Sequence, residues 1–385
     1  MKSATGPGES PGDWGSFHKH FPHIKMTTLE NIRSGVALRP TAHLSSDRST
    51  PKVGVDDGHV EREQDAHENY YLDLGMEQWL PLVEELSFET MSVPLSVTDA
   101  GLLRSCYHHL HGRTYYDDLS QPTSASLPPD LVADLKKLGD RLWPSMKALG
   151  AQEAGVFGKL SGRSAKDAPL YTCRLDEGLQ TQLSAHGADA ADDNVHLLCL
   201  FEAALELMRA HDPASLLWML VNSQRVDEDL DVALRHPGRW DQAIVLRRWW
   251  SGVSTDLEFR MFVVDGIPTG LTQYNSMVHS PRIASRGAAI ADCLYKYYEA
   301  EVLPRLKSSP FYEAVRGRFA CDLALHPDAL RMLDSPTGES TRGSPLTKKH
   351  IKLVELNCFY EATGMGLVRD ESRMRRALEI SSYIL

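Results

Sequence analysis

The chain carries no CxxC pair. Its six cysteines, Cys106, Cys173, Cys199, Cys293, Cys321 and Cys358, are scattered. That spacing sets aside a cysteine-held zinc site and reads as reduced thiols of a cytosolic or nuclear protein. No run reaches the roughly 20 apolar residues that a membrane-spanning helix needs. The opening MKSATGPGESPGDWGS lacks the apolar stretch of a secretory signal. HExxH, GxGxxG and EF-hand patterns are missing, as is the GxxxxGK[ST] loop, so the motif-bearing zinc proteases, dinucleotide enzymes and P-loop proteins are excluded at this level. Cys358 has no base partner nearby in sequence, which argues against a cysteine nucleophile. A net charge of −11 repels phosphate backbones and disfavours nucleic acid as a partner. It leaves room for a local basic pocket.

The chain does have the means to build a core: 385 residues, 42% of them hydrophobic, enough for two or three lobes. Residues 1–65 are rich in Gly, Pro, Ser, Thr, His and Asp and show no clean periodicity. Such a segment buries too little apolar surface to offset its ordering entropy, so a disordered tail is expected there. Its histidines, His18, His20, His23 and His43, read as solvated tail residues rather than metal ligands. Order is expected from about Tyr70, within a domain spanning 66–385. MEQWLPLVEEL, SVTDAGLLRSCYHHLHG and LPPDLVADLKKLGDRLWP have helical spacing, the second with a cap candidate at Ser96 or Thr98. From Val156 short β-like runs follow: GVFGKL, LLWMLV, AIVLRRWW, EFRMFVV and LTQYN. DNVHLLCLFEAAL reads as helix. A long helix is expected over 283–306, then the strands RFACDLAL and IKLVELN, with a mobile Ser/Thr/Gly/Pro-rich insert at 326–350 between them. Strands and helices mix without strict alternation, which favours an α+β fold over a doubly wound sheet.

The chemistry concentrates in these strands. Alternate side chains of a strand share a face, so Glu355 and Asn357 point the same way, expected alongside Ile351 and Leu353. Asp322 stands opposite the apolar face formed by Phe319, Cys321, Leu323 and Leu325, between Ala320 and Ala324. If the two strands form a hairpin, three oxygens converge, and such a set suits magnesium completed by phosphate and water. Alone, the pattern equally fits a strand with solvent-facing polar residues. Glu258 and Arg260 also share a face, which fits either phosphate contact or a plain cross-strand ion pair. In GVFGKLSGRSAKDAP, Lys159, Ser161, Arg163, Ser164 and Lys166 offer donors beside Gly158 and Gly162; a basic surface turn reads the same way. AIVLRRWW is a core strand or one that presents its backbone to an adenine edge.

In chain order these pieces run basic loop, apolar strand, Glu-x-Arg strand, Asp strand, Glu-x-Asn strand. That order resembles the nucleotide cleft of the ATP-grasp superfamily, between two α/β lobes. More specifically the chain resembles the cell division cycle protein 123 family over roughly residues 70–370. FGKLSGRSAKDA is similar to a family block like FPKLNWSAPKDA. IVLRRWWSGVSTDLEFRMFV is similar to LVLRKW...P..EFRCFV, LTQYN to ISQRD, and RFACDLAL and ELNCFYEATG to YVFDVY and DFNPF..TD. WLPLVEELSFETMSVPL matches a WYP...T...I.PL pattern.

The resemblance implies a cytoplasmic, ATP- and magnesium-binding assembly chaperone. Its expected partner is the gamma subunit of eukaryotic translation initiation factor 2, whose assembly supports the cell cycle and cell division; neither a nucleic acid nor a membrane is expected. An ATP-grasp ligase that activates a carboxylate as an acyl phosphate is the alternative. By the same resemblance Lys159, Ser161, Lys166, Arg248, Trp249, Glu258, Arg260 and Gln273 contact the nucleotide. Lys159 would meet the α- or β-phosphate and Arg248 and Trp249 would flank the adenine, while Asp322, Glu355 and Asn357 ligate magnesium. The chain departs from the family where Arg-Asp of the Gln motif becomes Tyr274–Asn275 and the proline after Asn357 becomes Cys358.

Overall fold

The computed structural model describes residue 14 and residues 68–111, 127–172, 174–187, 192–252, 254–334 and 346–359. Most of the expected N-terminal tail, Cys173 and the segment after Phe359 lie outside the described residues. Two four-stranded antiparallel sheets organise the chain. The first has the order β1-β4-β2-β3, from β1 (Thr90–Pro94), β2 (Val156–Leu160), β3 (Arg209–Ala210) and β4 (Ala243–Arg248). The second has the order β6-β5-β7-β8, from β5 (Glu258–Val264), β6 (Ile267–Gln273), β7 (Phe319–Leu325) and β8 (Ile351–Asn357). The α+β expectation holds.

Helices of eight or more residues cover the sheets: α1 (Met76–Val83), α2 (Val97–His111), α3 (Pro129–Ala148), α4 (Arg174–His186), α5 (Asp193–Leu207), α6 (Pro213–Val221), α7 (Gln224–Arg235), α8 (Gly287–Tyr297) and α9 (Pro327–Asp334). Ser96 opens α2 as a capping box. Its hydroxyl accepts from the Asp99 amide at 3.1 Å, and Asp99 Oδ2 accepts from the Ser96 amide at 2.9 Å, satisfying donors that a helix start leaves over. The run LLWMLV, read as a strand, is instead part of α6. Asp212 caps it by accepting from the Ser215 amide at 2.9 Å, and Pro213 follows at the first helical position. The six residues of that run are apolar and all of them are buried, a case in which periodicity cannot separate strand from helix. The expected 283–306 helix is interrupted: a short helix at Pro281–Ala284 is followed by α8 from Gly287, then a π-helical turn at Tyr298–Val302 before Leu303–Leu306.

Strict alternation sorts the sheets' side chains between two cores. Ile244, Leu246, Val156 and Leu160 face a cluster built with Leu135, Leu138 and Leu217. Gly158 lets β2 lie close on α6, since a Cβ there would stand 2.6 Å from Leu216. Trp14 packs against this core as well, over Gly139, where an added Cβ would come within 2.6 Å of its ring. The second core joins Phe259, Met261 and Val263 of β5 to Phe319, Cys321, Leu323 and Leu325 of β7, with Trp79 and Tyr297 from α1 and α8. Residues 326–350 were expected to be a loop throughout. Their first part forms α9, anchored by buried Ala329 and Leu330; residues 335–345 lie outside the described residues.

The β5–β6 hairpin turns on Asp265 and Gly266, with φ of 53° and 78°. Positive φ at both central residues is the hairpin geometry that Asp-Gly favours. A Cβ at Gly266 would also collide with the Tyr312 hydroxyl. Gly266→Ala is therefore expected to lower the unfolding free energy by at least about 1 kcal/mol. Urea unfolding measures it, and an unchanged midpoint would contradict the turn assignment.

Candidate functional site

β7 and β8 do pair as a hairpin, but with a bulge. Asp322 lies opposite Glu355 and Ala320 opposite Asn357, while the next pair is Leu323 with Leu353, leaving Val354 unpaired. The extra residue shifts the phase of the strand. Ile351 and Leu353 therefore face the core with Leu356, while Glu355 and Asn357 turn to the other side. Uninterrupted alternation would have put all four on one face, so this expectation is corrected by the bulge.

The polar side of this sheet faces β2 and β4 of the other across a cavity of about 800 Å³. Lys159, Lys166, Arg247, Arg248, Trp249, Glu258, Arg260, Tyr274, Glu355 and Asn357 line it. The register of β2 and β4 orders its walls. Lys159 lies opposite Val245, Phe157 opposite Arg247 and Val156 opposite Arg248. The 161–166 loop thus follows one end of the strand pair, and Trp249 and Trp250 follow the other, with Phe157 and Met208 among the lining residues. The cavity is polar and cationic toward the first and largely apolar toward the second.

The charged groups are paired across it. Buried Lys159 donates to the Gly162 carbonyl at 2.9 Å and forms an ion pair with Glu355. Burial lowers the lysine pKa against the pull of Glu355. For Glu355, burial acts upward, but Lys159 holds the carboxylate below its usual value. Arg260 binds Asp322 through two bonds, Nε to Oδ1 and Nη2 to Oδ2, both 2.8 Å. Asn357 Nδ2 donates to Asp322 Oδ2, also at 2.8 Å. Asp322 is only 1% exposed. Arg247 reaches from β4 to the carbonyl of the bulged Val354 at 2.6 Å; its Nε has no partner among the described residues, and burial lowers its pKa to about 10. Tyr274 lies between two cations, with Arg260 4.7 Å and Lys166 4.9 Å from its ring; such faces attract cations. Lys166 also donates to the Tyr274 hydroxyl. Glu258 makes no side-chain hydrogen bond or ion pair among the described residues, and its pKa is pushed up to about 8 by burial first, then by Asp322 and Glu355.

The basic loop is rigidly held rather than open. Asp229 of α7 accepts from the Arg163 amide at 2.8 Å and from its Nε at 2.5 Å. Arg225 Nε donates to the Ser164 carbonyl at 3.1 Å. Two residues expected at the nucleotide do not line the cavity. Ser161 is buried and its hydroxyl accepts from the Ala243 amide at 3.0 Å, tying β2 to β4. Gln273 donates to the Val278 carbonyl at 3.2 Å and closes its own turn. Asp322 lies behind the cavity surface, beneath Arg260. Arg248 lines the cavity but is partly exposed and paired with Glu89 at 3.1 Å, and Trp249 lies under Arg209 at 5.4 Å. Arg247, absent from the residues expected at the site, is the deeply placed arginine of that strand. Alternation carried the signal: with Ile244 and Leu246 in one core, Val245 and Arg247 must face the other way.

Among the described residues no three His, Cys, Asp or Glu side chains stand ready as a metal cluster. The donors Asp322, Glu355 and Asn357 are nonetheless hard oxygens on neighbouring strands. Carboxylates retain lone pairs beyond those used by one cation, so Glu355 and Asn357, which line the cavity, are of the donor type that magnesium takes, with Asp322 behind them, bonded to Arg260 and Asn357.

Fold and site define an α+β protein with an amphipathic, charge-lined cavity between two antiparallel sheets. No protein-family model matches the chain, and no curated protein matches it by sequence. Among solved structures it is similar to Cdc123 from Schizosaccharomyces pombe, at 17% identity over 80% of this chain and 92% of that one, with a TM-score of 0.47. It is also similar to a C-terminally truncated Cdc123 from the same organism, at 18% identity over 80% and 91% of the two chains, with a TM-score of 0.46. Among the described residues no helix is long and apolar enough to cross a membrane.

Proposed function

We propose that the cavity binds ATP with magnesium and that the chain is an assembly factor of the cell division cycle protein 123 type. One observation carries the nucleotide reading: cations of β2 and β5 and the oxygen donors Glu355 and Asn357 of β8 meet in a single cavity, continuous with an apolar, tryptophan-bearing end. Its volume of about 800 Å³ falls within the range of small-ligand sites. Lys159, Lys166 and Arg260 would take the phosphates, and Phe157, Met208 and Trp249 the base. Glu355 and Asn357, backed by Asp322, would hold magnesium, which supplies charge neutralisation between phosphate oxygens. The assembly role rests on the order of sequence motifs. It points to the gamma subunit of eukaryotic translation initiation factor 2 as the client.

A ligand that binds only the native state stabilises it by about 2.7 kcal/mol at a hundredfold excess over Kd. ATP with magnesium is thus expected to raise the melting temperature by several degrees, and ATP with chelator by less. Asn357→Ala, at a half-buried position, is expected to lose the magnesium-dependent part while the chain still folds. Absence of any shift with any nucleotide would overturn the nucleotide reading. Retention of purified gamma subunit on the immobilised chain, with and without magnesium-ATP, tests the client; no retention under either condition would remove it.

A further inference from the structure

We infer that the cavity is locked by its own counterions, so that nucleotide and divalent cation bind as an obligate pair. This rests on the nucleotide reading above. The groups suited to phosphate and those suited to a metal ion are bonded to each other: Lys159 to Glu355 across the cavity, and Arg260 to Asp322 on neighbouring strands of one sheet. Lys159 and Asp322 are 2% and 1% exposed, and Arg260 is buried, so these three groups have no water to replace a lost partner, whereas Glu355 keeps 22% of its side-chain surface. Lys159 comes from one sheet and Glu355 from the other, and the Arg247 bond to the Val354 carbonyl fastens the same two sheets together.

Each ligand alone meets a penalty in this arrangement. A triphosphate that takes Lys159 leaves the half-buried Glu355 ionised and facing the phosphates. A divalent cation that takes Glu355 leaves Lys159 buried and unpaired. Uncompensated buried charge is strongly unfavourable. When both bind, the exchange is balanced: the lysine passes from carboxylate to phosphate, and the carboxylate from lysine to metal. The lock is therefore a source of coupling between two ligands, and such coupling is reciprocal. Glu258 is the internal contrast. It lines the same cavity but makes no side-chain hydrogen bond or ion pair among the described residues, and burial raises its pKa to about 8, so its replacement releases no cation.

Isothermal titration of the full chain with ATP in excess magnesium, ATP in chelator, and magnesium alone tests this. For the wild type, magnesium is expected to tighten ATP by about tenfold or more, with little binding of magnesium alone. Glu355→Gln is expected to bind ATP in chelator about tenfold more tightly than the wild type, because Lys159 is freed, and to lose most of the response to magnesium. Glu258→Gln is expected to gain less in chelator and to keep the magnesium response. Melting curves establish that each variant is folded. Should Glu355→Gln unfold, Glu355→Ala and Lys159→Met carry the test, the latter expected to weaken ATP under both conditions. Equal ATP affinity of the wild type with and without magnesium overturns the lock. So does a Glu355 variant that binds chelated ATP no better than the wild type. Those two results leave nucleotide binding standing. ATP that binds no variant under any condition removes both readings together.

Discussion

Asp322→Ala is expected to destabilise the chain by about 3–5 kcal/mol, because it leaves Arg260 buried without its counterion. Both guanidinium bonds to Asp322 are 2.8 Å long, and the carboxylate also holds Asn357. Arg260 is itself buried, so water cannot take over. Asp322 itself is only 1% exposed. In melting temperature the loss amounts to roughly 10 °C. Arg260→Met in the same chain removes the stranded charge and is expected to recover much of it, since replacing both members of a buried pair by apolar groups is often neutral. Thermal unfolding of the two single variants and the double variant measures the coupling. A single variant within about 1 kcal/mol of the wild type would mean that the pair is solvated.

Raising the pH from 5 to 8.5 is expected to weaken the fold through Glu258, and Glu258→Gln is expected to abolish that part of the loss. The ordinary carboxyl value of 4.5 is raised to about 8 by burial and by the neighbouring Asp322 and Glu355. Between these values the folded chain binds a proton that the unfolded chain has released. Stability therefore falls as pH rises through this window. The contribution is fully present below about 4.5 and lost above about 8. A tenfold difference in proton affinity between the folded and unfolded chain is worth about 1.4 kcal/mol. The variant is therefore expected to exceed the wild type at pH 8.5 by a few kcal/mol and to match it near pH 5. Melting temperatures at the two pH values provide the check. A pH-independent difference would mean that Glu258 ionises normally.

Much of the second sheet was legible because alternation is a local property. Glu258 and Arg260 share the polar face, and Phe319, Cys321, Leu323 and Leu325 share the core face, as the residue types dictate. The hairpin of β7 and β8 could be read from two short strands with complementary polar sites. Sequence failed where a tertiary contact decides. Val354 bulges because the polar and apolar requirements of β8 are out of phase by one residue, which no window average reveals. Ser161 and Gln273 look like ligand donors, but their partners are backbone groups at Ala243 and Val278, invisible before the chain is folded. LLWMLV is apolar at every position because α6 is enclosed on all sides, and only its Asp-Pro start betrays the helix. Arg247 was hidden beside Arg248; parity separates them only once one core is known.

The bulge at Val354 also divides β8 into two independently keyed halves. Upstream, Ile351 and Leu353 are fixed to Leu325 and Leu323; downstream, Glu355 and Asn357 are fixed to Asp322 and Ala320. Arg247 clasps the carbonyl at the joint. One residue thus acts as a phase inverter. Excising Val354 would make Glu355 follow Leu353 directly, so plain alternation with Leu353 opposite Leu323 would still set Glu355 against Asp322 on the cavity face, at the loss of the carbonyl that Arg247 clasps. Changes in the length of the connection between α9 and β8 are a different matter. They are absorbed before Ile351 and leave the pairs of Glu355 with Asp322 and of Asn357 with Ala320 in place.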